Sequence, residues 1–426
     1  MNIKQCVSEK IEDSWGEQLN FLKELVRCRS TLFHEESVQE LMAYKLKQLG
    51  LFVDVFEPDI HSLAAQPGFS PVEWGFQNRP QVVGVWNSAG AGEGGVRTLV
   101  LNGHADIVPV ENSKLWTYNP WEPQIEGHRM YGRGTCDMKS GLASIVYAVS
   151  ALKESGVELA GNVIVQSVIE EECSGNGTLA CIAKGYKGTA ALIAEPTDQS
   201  MLTAQTGVLW MRITVAGSAS HVQSKGQSVN AIEKAYVIIQ ALKEIESEWN
   251  RNVPPSFKDV ENPIYFNVGQ ISGGCWPSSV PDSCVLNVRI GIYPETEPED
   301  MQRKLESQLK DRLGSDPWLC RHEPGITWYG HKTAGCLIDP AENTFYQIIE
   351  NAHKGVTGRS ITYFKQKACT DMRFFTLYHN MPATCYGASG GNEHGADEYV
   401  YLPSVLETTK VIASVILDYC GYVQNT

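Results

Sequence analysis

"NVIVQSVIEEECSGNGT", residues 162–178, is the stretch on which the fold class turns. An apolar run of strand length, closed by a glycine-rich loop, is the pattern of a strand buried on both faces, as in a parallel sheet covered by helices. Between the run and the loop stand Glu170, Glu171 and Glu172. Three neighbouring carboxylates repel one another and resist leaving water, so a partly buried cluster persists only with a cation or a proton among them.

The same texture extends in both directions. Upstream lie the strand-like runs "QVVGVW" (81–86) and "TLVLNGH" (98–104); downstream lie "GTAALIAEP" (188–196) and "PATCYGASGG" (382–391). Helical segments alternate with them. Residues 17–49 carry helical spacing, "SGLASIVYAVSALKESG" (140–156) has a small-residue start and a glycine stop, and 403–420 reads as a closing amphipathic helix. Such alternation predicts an α/β fold with a mostly parallel sheet. From 207 to 329 the order changes to strand (208–216), helix (229–248), two strands (263–271 and 283–293), helix (297–313) and strand (325–329). This βαββαβ order is that of a ferredoxin-like unit, a small antiparallel sheet with two helices on one face. The 426 residues exceed what one core usually serves. The expected division is a discontinuous domain, 1–206 with 330–426, carrying an inserted domain, 207–329.

Composition narrows the partners. The 35 basic and 49 acidic residues give a net charge of -14, which disfavours nucleic acid and anionic membrane and leaves small molecules first. The first residues, "MNIKQCVSEKIEDSWGEQ", lack the apolar core of a secretory signal, and no stretch approaches the roughly 20 apolar residues of a spanning helix. Twelve cysteines stand singly, with no C-x-x-C pair. Reduced thiols and a cytoplasmic location are the expectation.

Several ionisable residues follow strand ends: His104 and Asp106, then Glu171 and Glu172, then Glu195, then His394. Asp137 joins them from "YGRGTCDMKSG" (131–141), just before a helix. Open α/β sheets bind ligands beyond the carboxyl ends of their strands, so these groups are expected to converge. Two imidazoles with several carboxylates suit zinc, cobalt or manganese. One carboxylate can bridge two ions roughly 3.5 to 4 Å apart, and such pairs activate water and polarise a carbonyl. Adjacent strand residues face opposite sides, which lets one of Glu171 and Glu172 ligate while the other addresses the water.

Taken singly these residues have plainer readings: His104 structural, the acid triplet a solvated strand end, Glu195 and Asp106 turn carboxylates, His221 a surface histidine, Arg289 half of a strand salt bridge. Their ordered company favours a site. Two other motifs are set aside. "GAGEGG" (90–95) fits a dinucleotide-binding pattern, but a strand rather than a helix follows it. "GASGG" (387–391) would make Ser389 a nucleophile, but neither a helix onset nor a Ser-Asp-His order follows.

In order, "GHADIVP" (103–109), "GRGTCDMKSG" (132–141), "EEECSGNGT" (170–178), "EPT" (195–197), "GSASHVQSKGQSVNAI" (217–232) and "HGADE" (394–398) resemble the signatures of the M20 metallopeptidase family, from about residue 20 to the end. The resemblance implies a hydrolase of linear amide bonds with two divalent ions, Zn2+ first and Co2+ or Mn2+ as alternatives. It implies that His104 binds one ion, Asp137 bridges both, Glu195 completes the first, and Glu172 and His394 complete the second. Glu171 would be the general base and Asp106 would orient His104. His221 would stabilise the oxyanion, in relatives often across a dimer interface, so the inserted domain would serve as lid and homodimer surface. Arg289 sits where relatives hold a substrate carboxylate. Length and "WPSSVP" (276–281) look most like the branch of acetylornithine deacetylase and succinyl-diaminopimelate desuccinylase, acting on a small N-acylated substrate. Alternatives are a formylaminopyrimidine deformylase, a dipeptidase or carboxypeptidase on the same metals, a serine hydrolase using Ser389, and a silent binding protein. Departures from the family pattern are Glu170 for Asp, Lys225 for Pro, Ser228 for Gly, and Ser278-Ser279 where some relatives place Asn.

Overall fold

Residues 3–88 and 96–423 are described by the structure, a computed structural model. The "GAGEGG" motif lies outside the described residues. The apolar runs form a six-stranded sheet in the order Phe52–Phe56, Gln81–Trp86, Asn162–Val168, Thr98–His104, Ala190–Ile193, Ala383–Cys385. The last four strands are mutually parallel, whereas the first two pair antiparallel, so the sheet is mixed and its parallel part runs from the third strand to the far edge. The central strands are β-branched and leucine-rich because both of their faces are covered; Val163, Val165, Leu99, Leu101 and Leu192 are wholly buried. The edge strand Phe52–Phe56 has no buried residue, and Phe52 and Val55 are exposed.

Register positions the site. His104 lies opposite Val168, and Asn102 lies opposite both Gln166 and Ile193. Three parallel strands therefore end level, and residues 104–106, 170–172 and 195 leave the sheet along one edge.

The helix Ser140–Glu154 is buried from Ser140 through Leu152, which its small and apolar composition permits. The helix Leu402–Cys420 differs from the amphipathic expectation, for Asp418 is its only exposed residue. It packs against Ser140–Glu154 and Thr344–Thr357, and the first helix, Ile3–Asp13, covers its outer side. Thr409 donates to the Val405 carbonyl and accepts from Gln18 of the helix Trp15–Arg27. The expected helical span 17–49 divides into Trp15–Arg27 and Glu36–Gln48. Ser30, in the intervening loop, donates to the Ala105 carbonyl at 2.6 Å and accepts from the Ile107 amide, and so props the segment after His104.

A second sheet, all antiparallel, has the order Phe266–Gly273, Ser283–Ile292, Gly207–Ala216, Gly325–Thr333. The helices Ala231–Arg251 and Pro298–Leu313 pack on it around a separate core that includes Leu209, Ile213, Ile238, Leu286 and Leu305. The chain enters this unit through Gly207 and leaves through Gly335. A Cβ at Gly207 would stand 2.4 Å from the Thr333 carbonyl oxygen, and one at Gly335 would stand 2.5 Å from that of Gln205, so only glycine fits either crossing. A small third sheet joins Gln124–Glu126, Arg129–Tyr131, Tyr399–Tyr401 and Gly390–Gly391, and holds the loops 132–139 and 392–398 side by side. Among the described residues no helix is long and apolar enough to cross a membrane, and the twelve cysteines are free thiols.

Candidate metal centre

His104 ends its strand and is 1% exposed. Its Nδ1 lies 2.9 Å from the main-chain carbonyl of Asp106, and a carbonyl only accepts, so Nδ1 carries the proton. That leaves the Nε2 lone pair facing Asp137 Oδ1 at 3.0 Å and Glu195 Oε2 at 3.9 Å, acceptor against acceptors. The close orienting contact from Asp106 is thus its carbonyl, its carboxylate standing 3.7 Å from Nδ1. That carboxylate accepts from the Glu172 amide, and burial, with Glu172 adding, pushes it up to about 8.

Asp137 stands between two imidazoles: Oδ1 is 3.0 Å from His104 Nε2 and Oδ2 is 3.3 Å from His394 Nε2. His394 Nε2 is also 3.2 Å from Glu172 Oε2. Although Asp137 is buried, the two histidines hold its carboxyl far below the usual carboxylate range. The loop presenting it is organised by Glu398. That buried carboxylate accepts from the amides of Gly134 at 2.9 Å, Cys136 at 2.9 Å and Asp137 at 3.1 Å, and from Arg133 Nη1 at 2.6 Å. The motif "HGADE" contains Glu398, but sequence reasoning gave it no task. The only available signal was an acid closing the loop that holds the candidate ligand His394.

The glutamate triplet divides. Glu171 shares a cluster with His104 and Glu195, and Glu172 shares one with His104 and Asp137; in each, one ligand atom per residue lies within 4.8 Å of the others. Burial first, then the negative charge of Glu195, raises Glu171 well above the ordinary carboxylate value. Glu170 turns the other way, onto Arg79.

The donor set fits divalent ions. Ligand atoms held about 2.0 to 2.1 Å from one tetrahedral ion stand roughly 3.3 Å apart. The imidazole–carboxylate separations here are 3.0, 3.2, 3.3 and 3.9 Å. A cation between them relieves the facing lone pairs and the surplus negative charge at once.

The model of peptidase family M20/M25/M40 matches residues 100–418. The chain belongs to this family. It is thus a hydrolase of amide bonds. It is 27% identical to the N-formyl-4-amino-5-aminomethyl-2-methylpyrimidine deformylase of Bacillus subtilis, with 97% of each chain covered. It is 26% identical to the succinyl-diaminopimelate desuccinylase of Polynucleobacter necessarius, covering 75% of this chain and 80% of that one. Among solved structures, the di-peptidase Dug1p of Saccharomyces cerevisiae superposes with a TM-score of 0.81 at 16% identity, covering 99% of both chains, which is a likeness of fold.

The other candidate residues of this M20 protein lie apart from the centre. His221 is exposed in the second unit, where its Nδ1 accepts from the Gln223 amide; among the described contacts none joins it to the metal-ligand cluster. Arg289 is half-buried on the strand Ser283–Ile292 and donates to the Lys367 carbonyl at 3.1 Å, with no carboxylate partner among the described residues. Beside it His331, edge-on to Trp210 at 5.2 Å, is pushed down to about 3, by burial first and then by Arg373 and Arg289. Ser389 offers its amide to Ser404 Oγ, and no imidazole bonds to it among the described residues. As a nucleophile it lacks a base.

Proposed function

We propose that this M20 protein is a two-metal amidohydrolase that removes a small acyl group, formyl in the first place, from an amine borne by an aminopyrimidine-like heterocycle. The observation that carries the reading is the single pocket of His104, Asp137, Glu171, Glu172, Glu195 and His394. The deformylase from B. subtilis aligns end to end, whereas the desuccinylase match stops short, and this reverses the order in which the sequence ranked the two branches. His104 and Glu195 would hold one ion, Glu172 and His394 the other, and Asp137 both. Zinc suits imidazole with carboxylate best, with cobalt and manganese next. Two such ions, when bound, polarise the amide carbonyl and acidify water.

The chain's own residues then do the rest. Glu171 has a carboxylate oxygen within 4.8 Å of the ligand atoms of His104 and Glu195 and is not needed as a ligand, and burial gives its carboxyl the affinity to take a proton from water and return it to the leaving nitrogen. The amide and one water become a carboxylic acid and a free amine. His221, exposed in the second unit, would serve a partner's centre in a homodimer built through that unit. The free thiols suit the cytoplasm. A second reading, removal of a succinyl group, is favoured by Arg289, whose guanidinium has no carboxylate partner among the described residues.

A panel of formyl, acetyl and succinyl amides with dipeptides tests the reading, run beside elemental analysis of Glu171→Ala. Turnover should be highest on the formylated aminopyrimidine, and the variant should keep its ions while losing about 100-fold or more in kcat. Best turnover on dipeptides would refute the deformylase reading. Loss of metal in the variant would mean that Glu171 and Glu172 exchange roles.

A further inference from the structure

The glutamate that turns away from the pocket is held more tightly than either neighbour. Glu170, Glu35 and Arg79 are 0%, 0% and 1% exposed. Arg79 Nε lies 3.2 and 3.1 Å from the two carboxylate oxygens of Glu35, and its Nη2 reaches Oε1 of Glu35 and Oε1 of Glu170, both at 2.5 Å. The guanidinium also packs against the rings of Phe33 and Phe76, 5.3 and 5.6 Å from their centroids. Glu170 takes two more donors, Trp74 Nε1 at 2.9 Å and Ser174 Oγ at 2.6 Å.

Its main chain is equally constrained. Glu170 has φ +76, a left-handed conformation that a residue with a side chain adopts only at a cost. Its carbonyl accepts from the amides of Cys173, Ser174 and Gly175, closing the turn that carries Glu171 and Glu172. A strained residue persists where its surroundings over-determine it, and strain of this kind collects beside reacting groups. A buried ion network, by contrast, is a poor device for stability alone, because apolar side chains of similar volume often do as well or better.

We infer that Glu35, Arg79 and Trp74 are positioning residues that fix Glu170 and thereby aim the Glu171 carboxylate. The inference rests on the reading of Glu171 as the base. Arg79 joins three elements at one point, beside the pairing that already links their strands: Glu35 stands at the head of the helix Glu36–Gln48, Arg79 just before the strand Gln81–Trp86, and Glu170 just after the strand Asn162–Val168. A point charge in its place could not bridge two carboxylates in fixed geometry.

The test compares Arg79→Lys, the paired variant Glu35→Leu with Arg79→Met, and Glu171→Ala. For each, kcat and KM are measured well below the unfolding midpoint, with ions per chain by elemental analysis and the urea midpoint. Arg79→Lys should lose about 10- to 100-fold in kcat with KM and metal content unchanged. The paired variant removes Glu35 together with Arg79 but leaves the buried Glu170 with Trp74 and Ser174 as its only side-chain donors among the described residues, so it should regain part of the midpoint and none of the kcat. A purely structural role would lower the midpoint and leave kcat of the folded enzyme alone. Wild-type kcat in either variant, with Glu171→Ala inactive, overturns the positioning role by itself. An active Glu171→Ala overturns the base assignment and the positioning role with it.

Discussion

Replacing Glu398 should damage metal binding although Glu398 touches no ligand atom. In Glu398→Ala three main-chain amides, of Gly134, Cys136 and Asp137, and the Arg133 guanidinium lose their common acceptor inside the protein. Each stranded amide costs about 1 to 3 kcal/mol, and a stranded buried cation about 3 to 5 kcal/mol. These do not add, because water entering the space left by the side chain meets some of the demand, and a net loss of about 4 to 6 kcal/mol is expected. The loop also loses the contact that fixes the Asp137 main chain between the two histidines, which should weaken metal binding about 10- to 100-fold. Glu398→Gln keeps one oxygen for the amides but turns a donor toward others, and should fall between. Competition with a chromogenic chelator gives the metal affinity, and urea unfolding of the metal-free protein gives the stability. Wild-type affinity in Glu398→Ala would refute the reasoning, since the loop would then be holding Asp137 unaided.

Gly141→Ala would place a Cβ 2.0 Å from the Ala194 carbonyl oxygen, one residue before Glu195. Shifting that strand end should cost about 1 to 3 kcal/mol and lower occupancy at the Glu195 side, read by elemental analysis; full occupancy would contradict it. Removing metal with a chelator should abolish turnover and lower the unfolding midpoint, and zinc or cobalt should restore both, while a serine-directed phosphonate should do nothing. His331 titrates near 3 when folded against about 6.5 unfolded, so between those values the unfolded chain binds the extra proton and stability falls on acidification. From pH 7 to pH 4 that share is roughly 3 kcal/mol, and His331→Gln should be spared it; equal losses in urea titrations of both proteins would sink the assignment.

Strand runs and their exits were readable because parallel strands buried on both faces leave an unbroken apolar signal, and whatever follows them falls at one edge. His104, Glu172 and Glu195 could be found in that way, and the family resemblance ordered them. The fate of Glu170 could not. Its partner Arg79 lies 91 residues away, in a segment with no periodic pattern, and only the folded chain brings the two together. Burial of the last helix was hidden for a related reason. Lys410 and Asp418 give Leu402–Cys420 a polar side on paper, but Lys410 reaches Glu12 and Asp418 reaches Lys4 on the first helix, which covers that side. The antiparallel pair at the sheet edge was likewise beyond reach, because strand direction depends on connections that local composition does not record.

Gln205 and Cys336 are already paired across the point where the second unit departs, and Val208 and Thr333 are paired just beyond it. The excursion therefore goes out and comes home through one doorway, two strands wide, guarded by glycines that tolerate no ornament. Every carboxylate and imidazole of the pocket is on the near side of that doorway, and Arg289 and His221 are on the far side. On the proposed reading the residues that hold the ions and the base lie on one side and Arg289 on the other, so the second unit can change with the acyl group while the ion-holding cluster stays as it is.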